Sequence, residues 1–360
     1  MTFEDVLEIK NGRNQRAVEN PEGKYPIYGS GGIMGYANDY ICDAQTVIVG
    51  RKGSINNPLY VEEPFWNVDT AFGLCANRDI LLPRYLYYFC KKFDFERLNK
   101  AVTIPSLTKS DLLKIEIDLP RLEEQQETVN KLIKIEQVID LRKQELEELD
   151  NLIKSRFVEM FGDGSKYNKE SLNDNVQEMF IGPFGSALKN EVFVDKTDSY
   201  CIVYEQKHAI QKTMDLPTRY VDEKKYNELK RFTVQGGDII VSCRGTIGEI
   251  YSVPDDAPMG IMHPSIMKIR LKQDKYCNLF FVLMLKQYMQ ENIAKANGSG
   301  IKMAVTATDL GKELFVVPSI DEQKSFEAFV TQVDKLKFEV QKSLEEAQIL
   351  MNSLMQQYFG

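Results

Sequence analysis

The chain has 360 residues, 43% of them hydrophobic, which suits two domains with cores of their own and excludes a disordered chain. A net charge of −8 argues against a strongly basic nucleic-acid binder, and no apolar run reaches the ~18 residues of a membrane span. The six cysteines (Cys42, Cys75, Cys90, Cys201, Cys243, Cys277) form no CxxC pair, and two histidines are too few for a Cys/His zinc site, so the thiols read as reduced core residues of a cytoplasmic protein.

The first ten residues are acidic and amphipathic, unlike a secretory signal. A short helix is expected over residues 3–9, then a turn-rich stretch, 11–40, dense in glycine and aromatics (KYPIYGSGGIMGY). Strands are expected at 46–49, 58–61 and 71–75 and a helix at 84–93, completing a first globular domain over residues 1–107. Residues 108–162 read as a short apolar strand ending in proline, then a long charged helix. A second globular domain, 163–305, repeats the plan with longer insertions: a helix at 171–179, the loop IGPFGSALK, strands near 200–203 and 238–241, and a helix at 278–292. Residues 306–360 give a second apolar strand and a second long helix.

The two strand-and-helix segments are one pattern repeated at an offset of 198 residues without a gap. Thr108, Asp111, Leu112, Lys114, Pro120, Glu124, Gln125, Leu146, Glu147, Glu148, Leu152, Ser155, Phe161 and Gly162 recur as Thr306, Asp309, Leu310, Lys312, Pro318, Glu322, Gln323, Leu344, Glu345, Glu346, Leu350, Ser353, Phe359 and Gly360. The excess acid sits there, −5 over residues 111–162 and −4 over 307–360, which leaves both globular domains near neutrality and free to carry a basic face. Apolar residues in each helix follow heptad spacing. Leu132, Ile135, Ile139, Leu146, Leu149 and Ile153 form one seam, and Val330, Val333, Val340, Leu344, Met351 and Leu354 the other. A lone helix cannot bury such a stripe, so the helices are expected to pack antiparallel, giving an α+β dumbbell with an internal pseudo-two-fold repeat. The Pro-x-x-x-Glu-Gln element, 120–125 and 318–323, marks the change from strand to helix and, being repeated, suggests a second role as a docking surface.

The segments VIVGRKGSI (47–55) and IIVSCRGTI (239–247) align, so the two domains read as diverged copies of one fold. In each, cations follow a buried strand in a glycine-bearing turn that can approach phosphates and present arginine to base edges: Arg51, Lys52 and Ser54 in the first, Arg244 and Thr246 in the second. Tyr28 and Ser30 on the first domain's glycine-serine loop, and Lys189, Lys207, His208, Arg231 and Lys302 in the second, complete the candidate DNA contacts.

Fragments that mimic catalytic motifs fail on context. Asn57-Pro58-Leu59-Tyr60 resembles an amino-methyltransferase loop but lacks the second proline, and the glycines around Phe161 lie at a helix end. Glu322 and Lys324 give a nuclease-like Glu-x-Lys without its upstream Pro-Asp, and no phosphate-binding loop of the GxxxxGK[ST] type occurs. No enzyme, catalytic residue or metal site is read.

Over its full length the chain resembles the specificity (S) subunit of Type I restriction-modification systems, which act in phage defence. The resemblance is carried by LTKSDLLKIEIDLPRLEEQ (107–125), VTATDLGKELFVVPSIDEQ (305–323) and the KYPIYGSGGIMGY and GRKGSI segments. It implies two target recognition domains, each reading half of a bipartite, asymmetric double-stranded DNA site, with the helix pair setting the gap. It also implies two methyltransferase subunits using S-adenosylmethionine and restriction subunits using ATP and magnesium, with no cofactor in this chain. The competing reading is a coiled-coil scaffold that binds proteins and makes no DNA contact.

Overall fold

The computed structural model describes residues 1–99, 105–162, 165–299 and 306–360. Its elements run, in chain order, α1 (Phe3–Val6), β1 (Leu7–Asn11), β2 (Tyr25–Gly29), β3 (Gly32–Ala37), β4 (Thr46–Gly50), β5 (Leu59–Val61), β6 (Trp66–Asn67), β7 (Ala71–Ala76), α2 (Pro83–Lys92), α3 (Lys109–Leu112) and α4 (Leu122–Phe161). The second half gives β8 (Lys169–Ser171), α5 (Leu172–Asn175), β9 (Val176–Ile181), β10 (Cys201–Tyr204), α6 (Gln206–Gln211), β11 (Tyr220–Val221), α7 (Glu223–Glu228), β12 (Thr233–Val234), β13 (Ile239–Ser242), β14 (Ile250–Ser252), β15 (Gly260–Met262), β16 (Ile266–Leu271), α8 (Asn278–Ser299), α9 (Ala307–Lys312), β17 (Leu314–Val316) and α10 (Ile320–Phe359). Two compact units result, Met1–Glu147 with Phe338–Gly360, and Glu148–Lys337.

In the first unit an antiparallel sheet of order β1-β7-β4-β5 stands beside a small sheet of order β3-β2-β6. The run Val47 to Val49 is continuous and apolar because β4 is buried on both faces. Val47, Val49, Phe72 and Leu74 of this sheet share a core with Tyr85, Leu86 and Tyr88 of α2, Val129 and Leu132 of α4, and Met351 and Met355 of α10. The start of α4 thus packs with the end of α10. In the second unit the sheet β9-β16-β13-β14 has the connectivity of the first unit's sheet, and β13 stands where β4 does. Its core joins Ile239, Val241, Met267 and Ile269 to Phe280, Phe281 and Leu285 of α8, and to Ile153, Phe161, Phe326, Val330 and Val333 of the two long helices. Here the end of α4 meets the start of α10, so within each unit the helices run antiparallel. The mixed sheet β11-β10-β15-β12 likewise repeats the first unit's β3-β2-β6, since β10 pairs antiparallel with β11 and parallel with β15 as β2 does with β3 and β6, and β12 is an edge strand added in the second unit.

All twelve seam residues are buried or half-buried. Met355, outside the expected seam, is buried as well, and Phe359 lies edge-on to Tyr85 with ring centroids 4.9 Å apart.

Two expected helices are corrected. The helix expected over 3–9 stops at Val6, because Leu7 and Ile9 alternate with exposed Glu8 and pair with β7. That expected over 171–179 is a four-residue helix between strands β8 and β9. In both places sheet pairing outweighs local helix propensity. The expected strand before α4 pairs only at its start, through an isolated bridge between Thr2 and Glu116, whereas its repeat, β17, pairs with β8.

The Pro-x-x-x-Glu-Gln element has a structural role repeated in both units. Gln125 is fully buried; its Oε1 accepts the Leu82 N–H at 2.9 Å and its Nε2 donates to the carbonyls of Ile80 and Pro120, both at 2.9 Å. Gln323 does the same to the Cys277 N–H and to the carbonyls of Lys275 and Pro318, each at 2.9 Å. Glu124 and Glu322 accept the N–H of the residue three earlier, Arg121 and Ser319, at 3.1 Å each, capping the long helices. Gln125 clamps the start of α2 onto the start of α4, and Gln323 the start of α8 onto the start of α10. This burial removes Gln125 and Gln323 from the expected docking surface.

Replacing Gln323 with leucine leaves the Cys277 N–H and the Lys275 carbonyl without their side-chain partner. The expected cost is about 3 kcal/mol, seen as a fall of roughly 10 °C in the melting temperature of the second unit. Differential scanning calorimetry checks this, and an unchanged transition contradicts the clamp.

Candidate nucleic-acid interface

In the first unit the chain leaves buried β4 at Gly50, where a Cβ would stand 2.3 Å from the Ser54 carbonyl oxygen, so only glycine fits. The turn is then pinned by its backbone. The N–H groups of Arg51 and Lys52 donate to the Thr70 carbonyl at 2.8 and 3.3 Å, Leu107 N–H donates to the Arg51 carbonyl at 2.9 Å, and Gly53 turns at φ +79°. The side chains of Arg51, Lys52 and Ser54 are exposed on this fixed backbone. The Arg51 guanidinium lies 5.8 Å from the Phe72 ring centroid, and among the described residues no carboxylate pairs with Arg51 or Lys52. Ser30 lies against Gly50, its Cβ 3.1 Å from where a Gly50 Cβ would be. Tyr28 is half-buried, edge-on to Phe65, and burial raises its phenol's pKa.

The second unit repeats the device after β13. Ser242 Oγ donates to the Thr246 carbonyl at 2.6 Å and accepts the Glu249 N–H at 3.0 Å, while Gly245 and Gly248 take φ +69° and +86°. Arg244 and Thr246 are exposed at the tip, and among the described residues no carboxylate pairs with Arg244. The side-chain amide of Gln206 lies beside the same turn, its Nε2 3.7 Å from a Cβ placed on Gly245. Gln206 had no signal in the sequence, because α6 reaches the turn only through the fold.

Other candidates divide. Lys189 and Arg231 are exposed, Arg231 with its guanidinium 5.6 Å from the Phe180 ring centroid. Lys207 is half-buried with its Nζ 2.9 Å from Glu205 Oε2, and Arg219 pairs with the other oxygen of that carboxylate. Its charge is therefore largely spent inside the unit. His208 is corrected: it is fully buried, and its Nδ1 accepts the Glu205 N–H at 3.0 Å as a helix-start cap, so it cannot face DNA. Lys302 lies outside the described residues.

Burial holds His208, and likewise His263, below the ordinary histidine pKa of 6.5. The unfolded chain therefore binds protons more readily than the folded one just below that value. This contribution to stability is complete above pH 6.5 and is lost as the pH falls through the lowered folded values. Both histidines lie in the second unit. Hydrogen exchange followed by mass spectrometry between about pH 7.5 and 5.5 should show protection falling in the second unit but not the first. An equal fall in both contradicts the assignment.

Among the described residues no group of His, Cys, Asp or Glu could hold a metal ion, and no helix is long and apolar enough to cross a membrane. Two α/β units, each carrying a cationic glycine turn and sharing two long antiparallel helices, define a duplicated binding protein. The profile of the Type I restriction modification DNA specificity domain matches residues 1–151 and 175–349, and the chain belongs to that family, the non-catalytic specificity subunits of Type I restriction-modification systems. It is 22% identical over 298 residues to a putative Type I restriction enzyme MjaX specificity subunit of Methanocaldococcus jannaschii, covering 78% of this chain and 69% of that protein. It is 22% identical over 364 residues to the EcoBI specificity subunit of Escherichia coli, covering 93% of this chain and 76% of that protein. In fold it is similar to the S subunit of a Type I restriction-modification system from M. genitalium (TM-score 0.60, 18% identity, 100% of this chain and 95% of that one). It is also similar to a chain from a study of Type I system assembly and conformational transition (TM-score 0.65, 16% identity, 100% and 96%).

Proposed function

We propose that this specificity subunit reads a bipartite, asymmetric DNA site, each unit contacting one half through its glycine-bearing turn. The observation that carries this reading is the pair of equivalent turns, Arg51-Lys52-Gly53-Ser54 and Arg244-Gly245-Thr246, each following the equivalent buried strand and each holding exposed side chains on a pinned backbone. Shared topology with different side chains gives two half-sites of different sequence. Weak net charge is compatible with the reading because partner subunits would supply much of the phosphate contact.

In this reading residues 1–107 and 163–305 are the target recognition domains, and residues 108–162 and 306–360 set the gap and dock two methyltransferase subunits. Exposed apolar residues on the long helices support docking by a repeated partner. Val138 and Leu336 stand at equivalent positions and are 40% and 52% exposed, as do Leu152 and Leu350 at 46% and 49%. Restriction subunits would join through the methyltransferases, bringing ATP and magnesium chemistry, and S-adenosylmethionine would be bound by the methyltransferases.

Co-expression with the methyltransferase subunits tests this. A complex of one chain with two methyltransferases should transfer methyl groups to unmodified host DNA, and the methyltransferases alone should not. Methylation independent of the chain would support the scaffold reading instead.

A further inference from the structure

Each unit carries large apolar side chains in solvent close to its cationic turn. In the second unit the loop after β9 runs Gly182-Pro183-Phe184-Gly185, and Phe184 is 90% exposed, more than any other large apolar side chain among the described residues. This loop is held in place. Gly182 N–H donates to the Ile266 carbonyl at 3.0 Å, and a Cβ on Gly182 would stand 2.3 Å from the His263 carbonyl oxygen. The same stretch, residues 263–266, anchors the Arg244 turn, since Cys243 N–H donates to the Ser265 carbonyl at 2.9 Å. Phe184 and Arg244 therefore sit on two loops fixed to one segment. In the first unit Ile33 and Met34, 55% and 62% exposed, lie on the β2–β3 hairpin, whose Ser30 packs against Gly50 beside Arg51.

One exposed apolar residue is ordinary on a protein surface. A phenylalanine between glycines on a pinned loop, anchored to the same segment as an arginine that has no carboxylate partner among the described residues, with exposed apolar residues also on a loop packed against the other unit's cationic turn, calls for an apolar partner inside a polyanion. Stacked bases within a phosphate backbone are such a partner. We infer that Phe184 is a wedge that enters a base step of the second half-site, with Met34 and Ile33 acting at the first. This rests on the DNA-reading assignment and adds to it a second kind of specificity. Steps that unstack easily, pyrimidine–purine above all, are favoured where the wedge enters, without a hydrogen bond to either base.

The test uses the chain in complex with its methyltransferase subunits. The probe is a duplex carrying the methylated site, with 2-aminopurine placed at each position of the second half-site in turn. Binding of the native complex should raise fluorescence at one step through unstacking. Phe184→Leu should keep the signal, while Phe184→Ala should lose it and weaken binding about tenfold. The wedge is overturned if Phe184→Ala keeps both the signal and the affinity while Arg244→Ala loses affinity. If neither substitution matters, the turn assignment itself fails, and the wedge falls with it.

Discussion

Deleting residues 141–147 together with residues 339–345 is expected to abolish methylation of the native site and create methylation at a site with the same two halves and a shorter gap. The two segments are equivalent under the 198-residue repeat. They face each other across the helix pair: Arg142 Nε donates to Ser343 Oγ at 3.2 Å between the two segments, and Lys337 Nζ meets Asp150 at 2.6 Å just beyond them in the second unit. Removing a whole heptad from both helices keeps the apolar seam in phase, because the stripe repeats every seven residues. At 1.5 Å per residue the helices shorten by about 10 Å, close to three base pairs at 3.4 Å each. Methylome sequencing reads the outcome directly. An unaltered gap would refute the helices as the ruler, and loss of all methylation with a folded chain would show that the partners need the deleted surface.

Arg244→Ala should act on one half-site only. A well-placed arginine contact to a base is worth about 1–3 kcal/mol of discrimination, so methylation should slow by roughly 5- to 150-fold, with the base requirement relaxed at one position of that half. Arg51→Ala should do the same at the other half and leave the first intact. Because both side chains are exposed and among the described residues neither pairs with a carboxylate, stability should change by less than about 0.5 kcal/mol. Loss spread evenly over all DNA would mean that these arginines meet phosphates, and no loss would remove the turns from the interface.

The repeat and the seam were legible in the sequence because heptad spacing and a gapless 198-residue offset are properties of sequence order alone. So was the equivalence of β4 and β13, carried by two continuous apolar runs that end in glycine-bearing turns. Contacts made across the fold were not. Gln125 and Gln323 read as helix starts, since nothing local reveals that their amides reach the starts of α2 and α8, more than forty residues upstream. His208 and Lys207 read as surface cations because the burial of one and the partnership of the other with Glu205 depend on how β10, α6 and β11 assemble. The strands β1 and β9 were lost to helix-like local patterns, although each is the edge of its sheet.

Single-molecule methylome sequencing of a host with the gene intact and with it deleted decides whether this chain directs DNA methylation. A bipartite, asymmetric adenine-methylation motif should be present with the gene and absent without it. An unchanged methylome in a host whose methyltransferase subunits are expressed would contradict that expectation.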